Sequence, residues 1–267
     1  MLIAMAVFDT LENERSWMTE KTLDSLAWRV DRLNNNHRII VVDNGSCQAT
    51  KDILSWYVHR GVIENVITLS ENVGTARAIN KAWSFREEGE HCVKMDNDVT
   101  VQDPDWPNLM EEVFAKDPTI GICGLKRKDC METPWTENFW YKSYLRMLDH
   151  NPGDRWIIVE EVQHVMGTCQ GYSSALLDKI GYLFQMGGLY GFDDALASVR
   201  AHVAGFKTVF VPQIRINHID PGGGEYQHWK EEYAGERMTD YHRWKGHIEK
   251  TGSVYCNVEG ELNDNPF

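Results

Sequence analysis

The sequence predicts a single α/β domain built on a mainly parallel, mixed sheet flanked by helices in a Rossmann-like arrangement. Three observations carry this. Short apolar runs rich in β-branched residues alternate with amphipathic stretches at helical spacing, which implies right-handed βαβ units. Residues able to bind a ligand stand just past the ends of successive runs. A length of 267 residues suits one large domain with a sizeable core.

Leu2 to Phe8 reads as a first buried strand ending at Asp9. Leu23, Leu26, Ala27, Val30 and Leu33 recur at helical spacing and stop in Asn34-Asn35-Asn36. Arg38 to Val42 is the second strand and runs into Asp43-Asn44-Gly45-Ser46, a turn cluster before a helix at about Ala49 to His59. Val66 to Leu69 is the third strand, followed by Asn72-Val73-Gly74 and a helix through Ala76, Ile79, Asn80 and Trp83. Cys92 to Met95 is the fourth and ends on Asp96. In a parallel sheet Asp9, Asp43, Asn72 and Asp96 all reach the edge where open α/β sheets bind ligands.

The stretch Lys94-Met95-Asp96-Asn97-Asp98 is the centre of the functional reading. On extended backbone residues i and i+2 share a side, so Asp96 and Asp98 can address one cation or one diphosphate together. Carboxylates this close repel unless something positive lies between them, and Mg²⁺ or Mn²⁺ meets that need. Asp-Asn-Asp alone also suits a plain turn.

Further on, Asp105 to Lys116 reads as a helix, Thr119 to Gly124 as a strand and Val162 to Met166 as another. Between them, residues 125–160 form an aromatic-rich insertion. It carries Lys126-Arg127-Lys128, then Trp135, Phe139, Trp140, Tyr141, Tyr144 and Trp156, which suit either a hydrophobic flank or an acceptor platform. Gly167 to Tyr172 reads as a small-residue turn before a helix at Ser173 to Ile180, whose N-terminus could face a ligand. Asp193-Asp194 opens another helix, where two acids also suit the helix dipole. Phe206 to Val211 and Ile214 to Ile216 are the last strands, leading to Asn217-His218. Residues 221–267 are expected to be a Pro-Gly-Gly-Gly hinge, a polar helix at Glu225 to Lys250 with aromatic anchors at Trp229, Tyr233, Tyr241 and Trp244, and a frayed acidic end from Glu259.

A net charge of −13 opposes nonspecific binding to nucleic acid or an anionic bilayer, so an anionic ligand is expected to need a metal. Six cysteines without a Cys-x-x-Cys pair argue against a zinc or redox motif. No apolar run approaches the roughly 20 residues of a membrane span, and Met1 to Phe8 lacks the features of a signal peptide. A cytoplasmic protein with no integral membrane segment is expected.

Together these residues resemble the GT-A-fold glycosyltransferases, most closely the inverting enzymes of family 2. The matching elements are Val41 to Ser46, Asn72-Val73-Gly74 with Asn80, Asp96-x-Asp98, the Gly167 segment, Asp193-Asp194 with Arg200, and His218, in order across residues 1–220. The resemblance implies a metal-dependent transferase with a nucleoside-diphosphate sugar as donor, a UDP-sugar first, and Mn²⁺ or Mg²⁺ as cofactor. It assigns the donor to Asp9, Asp43, Asn72, Gly74, Asp96 and Asn97, with Arg77 added here to neutralise diphosphate charge. Asp98, His218 and Asp96 would hold the metal. Counting back from Arg200 makes Asp194 the base, with Asp193 the alternative; the family's further acid two positions on is replaced by Leu196. A glycan, a lipid carrier, a protein or a modified nucleic acid could be the acceptor. A sugar nucleotidyltransferase would share the sheet, yet it opens with a glycine-rich loop that Phe8 to Glu12 lacks. A noncatalytic glycan or nucleotide-sugar binding module is the remaining alternative.

Overall fold

Burial on both faces of Leu2–Val7 (β1) sets the layering of the molecule, which we describe from a computed structural model covering residues 1–27, 37–129, 144–149 and 152–264. Ile3, Met5 and Val7 enter one apolar core and Leu2 and Ala4 another, as the two-residue period of a strand requires. The first core is closed by α1 (Ser16–Ala27), α2 (Gln48–His59) and α4 (Trp106–Lys116) through Leu23, Leu54, Tyr57 and Met110. The second is closed by α3 (Thr75–Trp83), α5 (Ser174–Ile180) and α6 (Asp193–Val203) through Ile79, Trp83, Leu176 and Ala197. A sheet covered on both faces is the expected result of βαβ connections.

Beyond β1, the ten-stranded sheet comprises β2 (Arg38–Asp43), β3 (Asn65–Thr68), β4 (Cys92–Met95), β5 (Val99–Val101), β6 (Ile120–Arg127), β7 (Tyr144–Met147), β8 (Ile158–Val162), β9 (Cys169–Tyr172) and β10 (Lys207–His218). Its order is β3-β2-β1-β4-β9-β6-β10-β8-β7, with β5 on β10. Strands β1 to β4 are parallel; β9 runs antiparallel to both β4 and β6, while β10 is parallel to β6.

Several elements differ from the sequence reading. The stretch read as a small-residue turn contains a fully buried strand, β9, and the strand expected at 162–166 ends at Val162. The residues are small because neighbours crowd them: a Cβ on Gly171 would lie 2.9 Å from Met110 Sδ. Strands β5 and β7 are additional, and the two last expected strands are one, β10, with a register shift between Val211 and Arg215. Helix α1 begins at Ser16, earlier than expected; its expected end at Asn34 to Asn36 lies outside the described residues.

The C-terminal part packs onto the same domain. Helix α7 (Gly224–Thr251) buries Ile248 and sets Trp244 edge-on to Phe184 at 4.7 Å. The tail is pinned as far as Asn263 rather than frayed, since Tyr182 N–H donates to Cys256 O and Gln185 N–H to Gly260 O, each at 3.0 Å, and Asn263 N–H to Tyr255 O at 3.2 Å. Arg200, fully buried on α6, donates to the carbonyls of Ile180, Tyr182 and Val254 and so joins that helix to the tail. Among the described residues no helix is long and apolar enough to cross a membrane.

Candidate active site

A cleft of about 960 Å³ opens at the carboxyl edge of the parallel strands. Its most concentrated chemistry comes from the pairing of β5 with β10. The register Val99↔His218 and Thr100↔Asn217, with Ile219 N–H donating to Asp98 O at 2.8 Å, places Asp98 against His218 although they stand far apart in the chain. His218 Nε2 lies 3.5 Å from Asp98 Oδ2. Asp220 completes the group, and one ligand atom from each of the three falls within 4.8 Å of the others. Two carboxylates and an imidazole suit Mn²⁺ or Mg²⁺. In this structure Arg15 spans the carboxylates, its Nη2 2.6 Å from Asp98 Oδ2 and its Nη1 2.8 Å from Asp220 Oδ2. A guanidinium held by both acids shows that the donor set favours positive charge at that point.

The second group of acids in the cleft lies at the start of α6. Asp193 and Asp194 follow Phe192, which holds a left-handed φ of 62° and stacks on Tyr241 at 4.8 Å. Beneath them is Lys94, almost fully buried, whose Nζ reaches Asp96 Oδ1 at 3.1 Å, Gly167 O at 2.9 Å and Asp193 Oδ2 at 3.5 Å. Burial works against its charge, but Asp193, Asp96 and Asp194 outweigh that and keep the ammonium protonated well above the usual lysine range. Gly167 is small for this reason, as a Cβ there would meet Lys94 Nζ at 2.6 Å.

The two acids differ in environment. Burial, with Asp194 and Asp96 nearby, raises Asp193 despite Lys94. Burial also opposes charge on Asp194, yet His164 beside it, Lys94 and the Gly167 N–H at 2.9 Å prevail and hold its carboxyl well below the usual range. His164 Nε2 lies 3.3 Å from Asp194 Oδ2. Burial lowers the imidazolium's stability, but Asp194 and Asp193 more than compensate and raise its pKa. The folded state therefore holds this proton more tightly than the unfolded chain. The resulting stabilisation is complete below about pH 6.5 and is lost as pH rises through the raised value. His164→Gln is expected to lower Tm by about 2–4 °C at pH 6 and less at pH 9. An equal loss at both pH values would remove this ion pair from the account.

The sequence-derived site residues divide into two sets. Asn72, Asp96, Asn97, Asp98, Asp193, Asp194 and His218 line the cleft. Asp9, Asp43, Gly74 and Arg77, also read as donor-binding, lie outside this lining. Asp9 is fully buried, its carboxylate taken by Thr19 Oγ1 at 2.6 Å, Thr50 Oγ1 at 3.2 Å and Asn97 Nδ2 at 3.0 Å. Asp43 accepts from Ser46 N–H at 2.7 Å and borders a separate cavity of about 360 Å³ beside α2. Gly74 caps α3 at a φ of 95°, where a Cβ would meet Gln185 Oε1 at 2.8 Å. Arg77 donates to Glu259 O at 3.0 Å on the outside of the molecule. Asp96 faces the cleft, but Lys94 draws its Oδ1, and it is not one of the three clustered ligands; Asp220 takes that place.

The N-terminus of α5, expected to face a ligand, is already satisfied: Ser173 Oγ accepts from Leu176 N–H at 3.2 Å and His91 Nδ1 from Ser174 N–H at 2.8 Å. Of the basic triplet, Arg127 reaches the cleft and bonds Asp129, while Lys126 pairs with Glu160. Trp135, Phe139, Trp140 and Tyr141 lie outside the described residues, whereas Tyr144 and Trp156 are exposed.

Arg15, Lys94, His164 and Asp220 were missed. A lysine two positions before Asp96 in an apolar strand shares its side and is a readable signal, as is an acid two residues past His218. Arg15 and His164 carry none.

Comparison with known proteins gives the following. Residues 13–181 match the family described as Glycosyl transferase family 2. An uncharacterized protein, y4gI, of Sinorhizobium fredii is 25% identical over 260 residues, which is 91% of this chain but 28% of that protein, so the chain spans little more than a quarter of its relative. A mannosyltransferase of Pyrobaculum calidifontis, solved with GDP-Man and Mn²⁺, superposes with a TM-score of 0.61 at 15% identity over 94% of this chain and 69% of that one. Residues 1–349 of S. aureus TarS give 0.57 at 18% identity (82% and 60%), and GalNAc-T7 with UDP, GalNAc and Mn²⁺ gives 0.58 at 15% (81% and 43%).

Proposed function

Because the chain belongs to glycosyl transferase family 2, we propose that it moves a sugar from a nucleoside-diphosphate sugar, a UDP-sugar first, to an acceptor hydroxyl by a single inverting displacement. The observation that carries this is the meeting, in one cleft, of a cation-suited Asp98, His218 and Asp220 cluster with the acid pair Asp193-Asp194. Similarity in fold to proteins solved with GDP-Man or UDP together with Mn²⁺ supports the donor class.

In this reading the three clustered residues hold a Mn²⁺ or Mg²⁺, which when bound neutralises charge on the departing diphosphate. Asp194 accepts the proton of the acceptor hydroxyl as its oxygen bonds the anomeric carbon and the bond to the diphosphate oxygen breaks. Accessibility favours Asp194 over Asp193, their side chains being 25% and 11% exposed, and Asp193 is engaged with Lys94. A carboxyl held low is a weak base. Its use requires that the proton move late, when the attacking oxygen has become acidic. Pro221, Gly222 and Gly223 line the cleft, the two glycines at φ 68° and 79°, and supply the hinge for a loop that shields the reaction from water. Five free cysteines among the described residues, four of them buried, fit a reducing, cytoplasmic setting.

A thermal-shift screen of UDP- and GDP-sugars with Mn²⁺ tests the proposal. The correct donor is expected to raise Tm by about 5–10 °C at roughly 100 times its Kd, and to be consumed slowly by water in the absence of acceptor. If no nucleotide sugar stabilises the protein or is turned over, the reading fails.

A further inference from the structure

Arg15 stands where the proposed reading needs a divalent ion to be neutralised by the same acids. Its side chain is 6% exposed and pairs with two members of the metal cluster, Asp98 and Asp220. A guanidinium desolvated to this degree requires anionic partners, and its planar fork suits diphosphate as well as it suits two carboxylates. It also lines the donor cleft.

We infer that Arg15 is a removable counterion: it occupies the Asp98–Asp220 pair in the free protein and transfers to the donor's diphosphate when the divalent ion arrives. The ion alone must displace a bound positive charge and take from Arg15 the two carboxylates that it holds. Diphosphate supplies an anion in their place. Metal and nucleotide therefore bind with positive coupling that originates in this chain, and each strengthens the other by the same factor. Arg15 is in this sense a diphosphate-binding residue that also keeps the ion from binding in the absence of donor.

The inference rests on the donor reading, and Mn²⁺ alone tests it separately. Titration calorimetry with MnCl₂ in the absence of nucleotide is expected to give about tenfold tighter binding to Arg15→Met than to wild type, within the usual range of coupling factors. UDP or GDP, titrated at saturating Mn²⁺, should bind the variant more weakly than wild type by a similar factor. Arg15→Lys keeps a charge but loses the fork that meets each acid with its own nitrogen, so it should bind Mn²⁺ with intermediate affinity; it also provides a folded variant if the methionine protein fails. If neither variant binds Mn²⁺ alone more tightly than wild type, the inference is overturned. Nucleotide binding by wild type with no uptake of Mn²⁺ would overturn it too, marking Arg15 as a permanent substitute for the ion. If no variant takes nucleotide, the donor reading falls, while the Mn²⁺ comparison still decides whether Arg15 opposes the ion.

Discussion

Asp98→Asn is expected to lower Mn²⁺-dependent sugar transfer about 10³-fold, since charge stabilisation at a leaving diphosphate is worth several kcal/mol and each 1.4 kcal/mol is tenfold in rate. The carboxylate is 5% exposed and shared by His218 and Arg15, so the substitution removes negative charge from a buried point of the cluster. The amide keeps the size of the side chain and removes its charge, which should abolish detectable Mn²⁺ binding while preserving the circular dichroism of the wild type. Rates of donor consumption measured across a Mn²⁺ series would check it. Activity within about twofold of wild type would exclude Asp98 as a ligand.

The second large effect concerns the acids on α6. Asp194→Asn should leave donor affinity unchanged and reduce transfer by about 10²–10⁴-fold, the usual contribution of a general base. Asp193→Asn should behave differently. It leaves Lys94 with one fewer carboxylate in a buried setting, and disruption of a buried ion pair typically costs a few kcal/mol, so its main effect should be a lower Tm. Comparing single-turnover rates with melting temperatures for both variants separates the roles. Should Asp193→Asn stop transfer at an unchanged Tm while Asp194→Asn does not, Asp193 is the base, and its raised pKa is then the reason.

What the sequence could reveal followed from which signals are local. The ends of β1 and β2 were readable because each is built on a continuous apolar run that gives way to an aspartate, and β4, though interrupted by Lys94, likewise stops at Asp96. Strand β9 was hidden by the crowding that makes it small, because Gly171 reads as a turn when the Met110 packed against it is not visible. Strand β5 has three residues, too few for periodicity, yet its pairing with β10 brings Asp98 and His218 together. Only resemblance suggested that meeting. Asp9 and Asp43 satisfied every local criterion for a ligand-facing carboxylate; that both are fully buried could not be read locally, because burial is a property of the assembled fold.

Arg200 gives the molecule an unexpected division of labour. The helix that presents the acid pair at one end is held at the other by carbonyls of residues 180, 182 and 254, the last from the tail. The aim of the reactive carboxylates is thus set partly by polypeptide that never approaches the cleft. A shortened chain ending before Val254 would keep every reactive group and still lose one of the three carbonyls that keep them pointed.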